Sequence, residues 1–315
     1  MKRFGLILAT LSGLSAVGCD LLPGETPPET TAAPAPAAPA APAARTSPSA
    51  ESQVLSARYA EMQRDLLARG LLRVDGGGPD TPFTARDLAT NFEAIAFYDE
   101  YARGGSARRA DGWLSRWALP VKVELRFGPM VPDDVRTTDR AQFNAYVRRL
   151  ARVTGHPVTS VQRDGNFIVF VGTEDDKAYV QKQLKMLMPG ISETELALFR
   201  DLPDSRHCQV VTHPASDTPY VTATAVSLVR AEQPDLMRRA CLHEELAQGL
   251  GLRNDSPGAR PSIFNDDDEF AQLTTHDEQL LKILYDPRLK PGMTVDEARP
   301  MVEQIALELA PPAAF

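Results

Sequence analysis

Residues 27–48 read PPETTAAPAPAAPAAPAARTSP, and this tract decides where folding can begin. Sixteen of its 22 residues are Ala or Pro, prolines recur too often for a helix, and no large apolar side chain is there to bury. Such a segment is an extended, polyproline-like spacer, so the globular part of the chain starts behind it. Roughly 260 residues follow, enough for one large domain with its own core. No apolar run of 18 residues occurs after residue 19, so nothing there spans a membrane as a helix. The formal charge is −8, with Lys and Arg interspersed among the acids, which argues against an electrostatic nucleic-acid binder.

Ahead of the spacer, Met1-Lys2-Arg3 supplies a positive start, residues 4–17 an apolar stretch of secretory length, and Ala16-Val17-Gly18 small residues before Cys19. The pattern resembles a bacterial lipoprotein signal. That resemblance implies a signal peptide over residues 1–18, cleavage before Cys19 and acylation of Cys19, with residues 19–52 as lipidated N-terminus and linker. Asp20 resembles the inner-membrane retention signal of enterobacterial-type sorting, so the expected location is the periplasmic side of a Gram-negative envelope, lipid-anchored, with the inner membrane favoured. A plain secretory signal with an incidental cysteine is the other reading, and it too exports the chain. Cys208 and Cys241 are then an even pair in an oxidising compartment, which predicts a disulfide; two buried thiols are the alternative.

Apolar residues at helical spacing predict a helix over 52–72, and Thr84 with Asp87 starts a second that runs to Gly104-Gly105. Residues 121–127 alternate strictly and predict a strand. A helix over 142–154 follows, then two strand-like runs, 158–162 and 166–171, joined as a hairpin through Asp164-Gly165. Helices are expected over 176–187 and 192–202, strands over 208–212 and 221–229, a long helix over 234–250, and short helices over 276–285 and 295–309. This order predicts a single α/β (α+β) domain over residues 53–315, a mixed sheet with packed helices, carrying a helical extension over 53–110. No Gly-rich phosphate loop follows any strand.

The chemically suggestive stretch is CLHEELAQGLGLRND, residues 241–255. A zinc-peptidase helix presents two ligands at i and i+4 with a general-base Glu beside the first; one form adds a glycine turn and a third ligand. Starting at His243, Ala247 falls on the second ligand position and no glycine falls on the turn. Starting at Glu244, the ligand positions hold Glu244 and Gln248, the base is Glu245, the turn is Gly251 and the third ligand is Asn254. The second register suits the geometry, but the neutral amides of Gln248 and Asn254 are feeble zinc ligands.

This stretch is followed by Ser262-Ile263-Phe264-Asn265 and by Leu273-Thr274-Thr275-His276-Asp277, with Leu280, Leu281, Leu284 and Tyr285. The succession resembles the active-site helix, glycine turn, Met-turn and closing helix of matrixin-type metzincin peptidases. It implies a zincin-like architecture with degenerate metal ligands, Phe264 standing near the place of the Met. Four further motifs are NFE-x-IAF at 91–97, RW-x-x-PV-x-V at 116–123, C-x-x-EELAQ-x-LGL-x-ND at 241–255 and LYDPRL-x-PGM at 284–293. Together they resemble a family of Gram-negative envelope proteins, domain of unknown function 2927.

Three readings of the helix over 234–250 stay open. It is a plain core helix, with Leu242, Leu246 and Leu250 at i+4; a non-catalytic groove that binds a protein, peptide or cell-wall component without a cofactor; or a metallopeptidase using zinc on Glu244, an unconventional second ligand and Glu245 as base. The run Asp266-Asp267-Asp268-Glu269 lacks the spacing of an EF-hand loop and reads as a solvated acidic loop. No G-x-S-x-G elbow supports a serine nucleophile. Trp113 and Trp117, four apart, read as core packing.

Overall fold

In chain order the elements are α1 (Ala50–Ala68), α2 (Ala85–Ala96), β1 (Arg116–Trp117), β2 (Val121–Phe127), α3 (Asp133–Thr154), β3 (Val158–Val161), β4 (Phe167–Gly172), α4 (Lys177–Leu187), α5 (Glu193–Arg200), β5 (Cys208–Ala215), β6 (Thr218–Arg230), α6 (Asp235–Leu250), α7 (Thr275–Tyr285) and α8 (Val295–Leu309). The computed structural model describes residues 47–98, 112–203, 206–265 and 267–310. Cys19, most of the spacer and the expected stop at Gly104-Gly105 lie outside them. The chain divides into residues 1–44 and a unit over 45–315, which holds every element named here.

Local chemistry fixes most helix starts. Thr84, Ser192, Thr274 and Thr294 each accept the third backbone N–H of the helix they precede. Asp87, Glu195, Asp277 and Glu297 return the bond to the cap's own N–H, closing four capping boxes. The second helix ends earlier than the sequence suggests, at Ala96 with Phe97 as its cap. None of the described helices is long and apolar enough to cross a membrane.

The sheet runs β1-β6-β4-β2-β3, with β5 on the far edge of β6. All pairs are parallel except β5 with β6. Every residue of β4 is buried, because helices cover both faces. Phe167, Val169 and Val171 point into the main core, with Phe92 of α2, Phe143 of α3, Leu246 of α6 and Leu280 of α7. Ile168 and Phe170 point the other way, onto Val180 and Leu184 of α4 and Phe199 of α5. Trp117 packs in the core at 1% exposure; Trp113 does not, being 38% exposed and stacked on Tyr220.

Two crosslinks tie α6 to its neighbours. Cys208 at the start of β5 is bonded to Cys241, with Cα atoms 5.8 Å apart. Closing a loop of this length removes about 3 to 4 kcal/mol of entropy from the unfolded chain in the loop-entropy account. Arg238 of α6 donates to both carboxylate oxygens of the fully buried Asp139 of α3 at 3.0 to 3.2 Å. The first helix lies against the same end of α6: Leu55, Tyr59 and Leu66 pack with Met237 and Ala271. Its N-terminal turn is fastened by Ser52, whose hydroxyl donates to Glu232 at 2.8 Å.

The hairpin expected between residues 158–162 and 166–171 does not form. Asp164 does adopt a left-handed turn, with φ 60°. Yet β3 and β4 both pair in parallel with β2, one on each edge: β3 with residues 121–124 and β4 with residues 123–127. The reason is the demand of β2 itself, a central strand whose backbone groups on both edges must be satisfied in the core. The link therefore passes across β2. Asn166 makes the crossing possible by imitating a strand residue: its Oδ1 accepts Lys122 N–H at 2.7 Å and its Nδ2 donates to Pro120 O at 3.0 Å. Gly165 donates its N–H to the buried Glu124 carboxylate at 3.0 Å.

A Cβ on Gly165 would lie 2.6 Å from Glu124 Cβ and 3.0 Å from Lys122 O. We expect Gly165→Ala to lower the unfolding free energy by about 1 to 3 kcal/mol in urea denaturation. Gly190→Ala, where nothing lies within 4 Å, should stay within about 0.5 kcal/mol of wild type. Equal effects of the two would show that the crossing is not tight.

Candidate functional site

The helix α6 is no ordinary amphipathic surface helix, since eleven of its sixteen residues are buried. Among them are polar ones, His243 at 7% exposure, Glu245 at 4% and Gln248 at 5%. Buried polar side chains need partners, and where each finds its own separates structure from site.

His243 belongs to the core. Its ring stacks on Tyr146 with centroids 3.8 Å apart, and its Nδ1 accepts the Leu273 N–H at 3.0 Å. The Tyr146 hydroxyl donates to the His243 carbonyl at 2.7 Å. Burial, with Arg149 and Arg239 adding to it, pushes the imidazole down to about 3. Ala247, the second position of that register, is likewise fully buried in the core. The register beginning at His243 is therefore a packing register.

The other register faces a cavity. Glu244, Glu245 and Gln248 line a space of about 380 Å³ enclosed by α6, the first residues of β5 and the segment 255–271, with Leu72 behind α1 closing one side. Glu244 and Gln248, four residues apart, share one face of the helix. Asn254 does not join them. The chain leaving Gly251 is pinned to the end of α2, where Arg253 N–H and Asn254 N–H both donate to Ile95 O at 3.1 Å and Asn254 Nδ2 donates to Ala94 O at 2.9 Å. Its neighbour Asp255 lines the cavity instead, accepting from Gln248 Nε2 at 3.5 Å. Asp268 and Arg206 also face this space. Asp255 stands one residue past the expected third position, a displacement that spacing alone does not reveal.

These donors fit zinc poorly. Gln248 brings a neutral amide, the Asn254 amide is spent on α2, and His243 is held by stacking and by Leu273. Among the described residues no three His, Cys, Asp or Glu side chains gather as a metal site.

The segment after the cavity is structural. Asp277 is fully buried; it accepts from Ser262 Oγ at 2.6 Å, Ile263 N–H at 3.1 Å and Thr274 N–H at 2.9 Å. This carboxylate thus caps α7 and clamps residues 262–264 beneath it. Ser262, His276 and Asp277 are each at most 1% exposed, and the hydroxyl bonds the acid directly, so they do not form an accessible nucleophile. The acidic loop divides: Glu269 pairs with Arg73 and Arg260, Asp268 faces the cavity, and Asp266 lies outside the described residues.

A second cavity, of about 320 Å³, joins residues of the motifs at 116–123 and 284–293. Arg116 there donates to the Leu284 and Leu289 carbonyls, closing the end of α7.

His243 gives a pH dependence whose sign is fixed. Above about pH 6.5 the imidazole is neutral in the folded and unfolded chain alike. Between there and about pH 3 the unfolded chain takes up a proton that the folded one refuses, so stability falls as the pH drops, by up to about 1.4 kcal/mol per pH unit. Urea unfolding of His243→Gln between pH 6 and 4.5 should show a slope shallower by about that amount; parallel slopes would mean that His243 is not held neutral.

No curated protein and no solved structure matches the chain. A family model does, the one described as a protein of unknown function, DUF2927, over residues 85–304. The match takes in the whole sheet, α6 with its cavity-facing residues, the Asp277 clamp and the motifs at both ends of β1 and α7. The chain belongs to the DUF2927 family.

Proposed function

We propose that the domain is a binding module whose ligand, a protein, peptide or cell-wall component, lies in the cleft between α6 and the edge strand β5. The observation that carries this reading is the pairing of a polar cavity on α6 with an open strand edge beside it. Among the described residues β5 pairs only with β6, and Cys208, Gln209 and Val210 border the cavity. An extended peptide could add to such an edge through main-chain hydrogen bonds. The Val210 carbonyl already takes a side-chain donor there, from Gln209 Nε2 at 2.9 Å.

The domain is read as zincin-like with a degenerate metal site. Support comes from the order of helix, Gly251 stop and clamped 262–264 segment, together with Glu244 and Gln248 on one face over a cleft. In the second reading, a metallopeptidase, Glu244 binds zinc with an unconventional partner and Glu245 is the base; its support is that Glu245 lines the cavity although 4% exposed. The poor donor set weighs against it. The chain itself is proposed to be exported in a Gram-negative envelope, cut before Cys19 and held at the periplasmic face by lipid, at the inner membrane by virtue of Asp20.

Two measurements decide these points. Elemental analysis of the purified protein should find no stoichiometric zinc; near-stoichiometric zinc that is lost on Glu244→Ala would replace the binding reading with the peptidase. Cell fractionation should find Cys19→Ser released from the membrane fraction that retains wild type, and equal retention of both would remove the lipid anchor.

A further inference from the structure

We propose that the outward face of α3 docks on an anionic lipid surface, laying the domain against a bilayer through arginines that the fold leaves without acids. Arg140, Arg148 and Arg152 are all exposed, and their i+4 spacing through Asn144 sets them along one side of the helix over about 18 Å. Among the described residues none of the three has a carboxylate partner: Arg140 lies over the Phe127 ring, and Arg152 donates to the Arg148 carbonyl. Other surface arginines sit against acids, Arg260 on Glu269, Arg288 on Asp286 and Glu308, Arg299 on Glu93 and Asp296. The acids that α3 meets on neighbouring helices are already paired, Glu278 with Arg149 and Asp235 with Arg238 and Arg239. Asp133 and Asp134 sit in its first turn, where they suit the positive end of the helix, and no exposed acid follows them on α3.

The positive face continues past the end of α3. The second cavity begins there, at Thr154, Gly155 and His156, and it holds Arg116 and the exposed Lys290 with no Asp or Glu among its described lining residues. His156 adds no charge to it, because burial pushes the imidazole below the usual histidine range. The Leu119 carbonyl accepts the His156 Nε2–H at 2.9 Å, so Leu119, 70% exposed, stands at the same end of the helix. In a chain of formal charge −8, a run of cations without acids beside an exposed leucine suits an anionic bilayer, with the cations at the headgroups and the apolar tip at the acyl boundary.

The residues between the arginines favour a lipid surface over a soluble polyanion. Thr137, Ala141 and Ala145 share the exposed side and are small, so nothing holds the helix off a flat partner. A single-stranded nucleic acid would call for aromatic rings to stack on, and the aromatics of α3, Phe143 and Tyr146, are buried. Guanidinium groups grip phosphate oxygens with paired N–H donors, which suits phospholipid headgroups. The docking rests on the envelope location proposed above and not on the acyl group at Cys19, although an anchor on the long spacer would concentrate the domain at the bilayer. Salt screens such a contact, so it does not retain Cys19→Ser in salt-washed membranes.

The test is sedimentation with vesicles of phosphatidylcholine alone or with roughly one-third phosphatidylglycerol, using the mature chain carrying Cys19→Ser so that no acyl group inserts. The protein should sediment with the anionic vesicles at low salt, stay in solution with the neutral ones, and be released by high salt. Arg140→Gln, Arg148→Gln and Arg152→Gln together should lower the partition coefficient on the order of a hundredfold, about fivefold per charge, with thermal melting unchanged. Arg64→Gln, Arg69→Gln and Arg86→Gln, at exposed positions on or beside α1 and α2, make a variant of the same net charge that should bind as wild type does. Equal weakening of the two variants would show an effect of net charge and overturn the α3 face, as would equal binding of the α3 variant and wild type. No binding to the anionic vesicles would overturn the lipid surface and leave the cleft and the Cys19 anchor standing, since neither enters this assay. Retention on immobilised polygalacturonate by a protein that ignores vesicles would overturn it in favour of an acidic polysaccharide.

Discussion

The contact on which the rest of the molecule depends is the one between Gly249 of α6 and the ring of Phe167 in β4. A methyl group at 249 would sit 2.3 Å from a ring carbon, so the helix backbone rests directly on the central strand. Trp117 reaches the same point from β1, donating its indole N–H to the Gly249 carbonyl at 2.8 Å and stacking on Phe167. With its C-terminal half laid flat in this way, α6 has almost no face left for solvent. The disulfide and the Arg238–Asp139 pair hold its N-terminal half, and after Ala240 the one side chain of α6 that is not buried is Glu244, on the narrow stripe it shares with the buried Gln248.

That stripe gains its character from what the opposite side does. His243 is spent on Tyr146 and Leu273, and Asp277 holds residues 262–264 in place under α7, so the cavity's far wall is fixed by buried bonds rather than by a loop in solvent. Asp139 and Arg238 are both buried at this end of the helix, and burial raises the Asp139 carboxyl even though Arg238 is in contact. Rigid walls matter for a binding cavity because they remove ordering costs from the moment of binding.

Much of this was legible in the sequence, and the parts that were not share a cause. Capping at Thr84, the strand over 121–127, the mixed fold and the Cys208–Cys241 bridge depend on neighbours in sequence or on simple parity. The crossing of β2 does not: Asp164-Gly165 has the right turn chemistry for a hairpin, and only the need of β2 for partners on both edges reassigns the two runs. The same holds for Asn254 and Asp255. Spacing places Asn254 after the glycine turn, but in a helix some 160 residues earlier the Ala94 carbonyl takes the Asn254 side chain and the Ile95 carbonyl its backbone N–H, which brings Asp255 to the cavity. A long-range hydrogen bond of this sort leaves no local pattern to read.

The composition of the cavity bears on whether it is a remnant or a working site. A helix that had merely lost its metal could have closed the space with apolar residues, and the gain would be real, since filling a cavity and removing poorly solvated charge both stabilise a fold. This chain instead keeps Glu245 and Gln248 at 4% and 5% exposure beside two more acids, next to Met237, Ile263 and Phe270, which show that apolar side chains are readily accommodated there. Buried polar groups of this kind are more costly to hold than apolar ones of the same size. The polar wall is therefore what the proposed binding role would account for and a closed, apolar remnant would not.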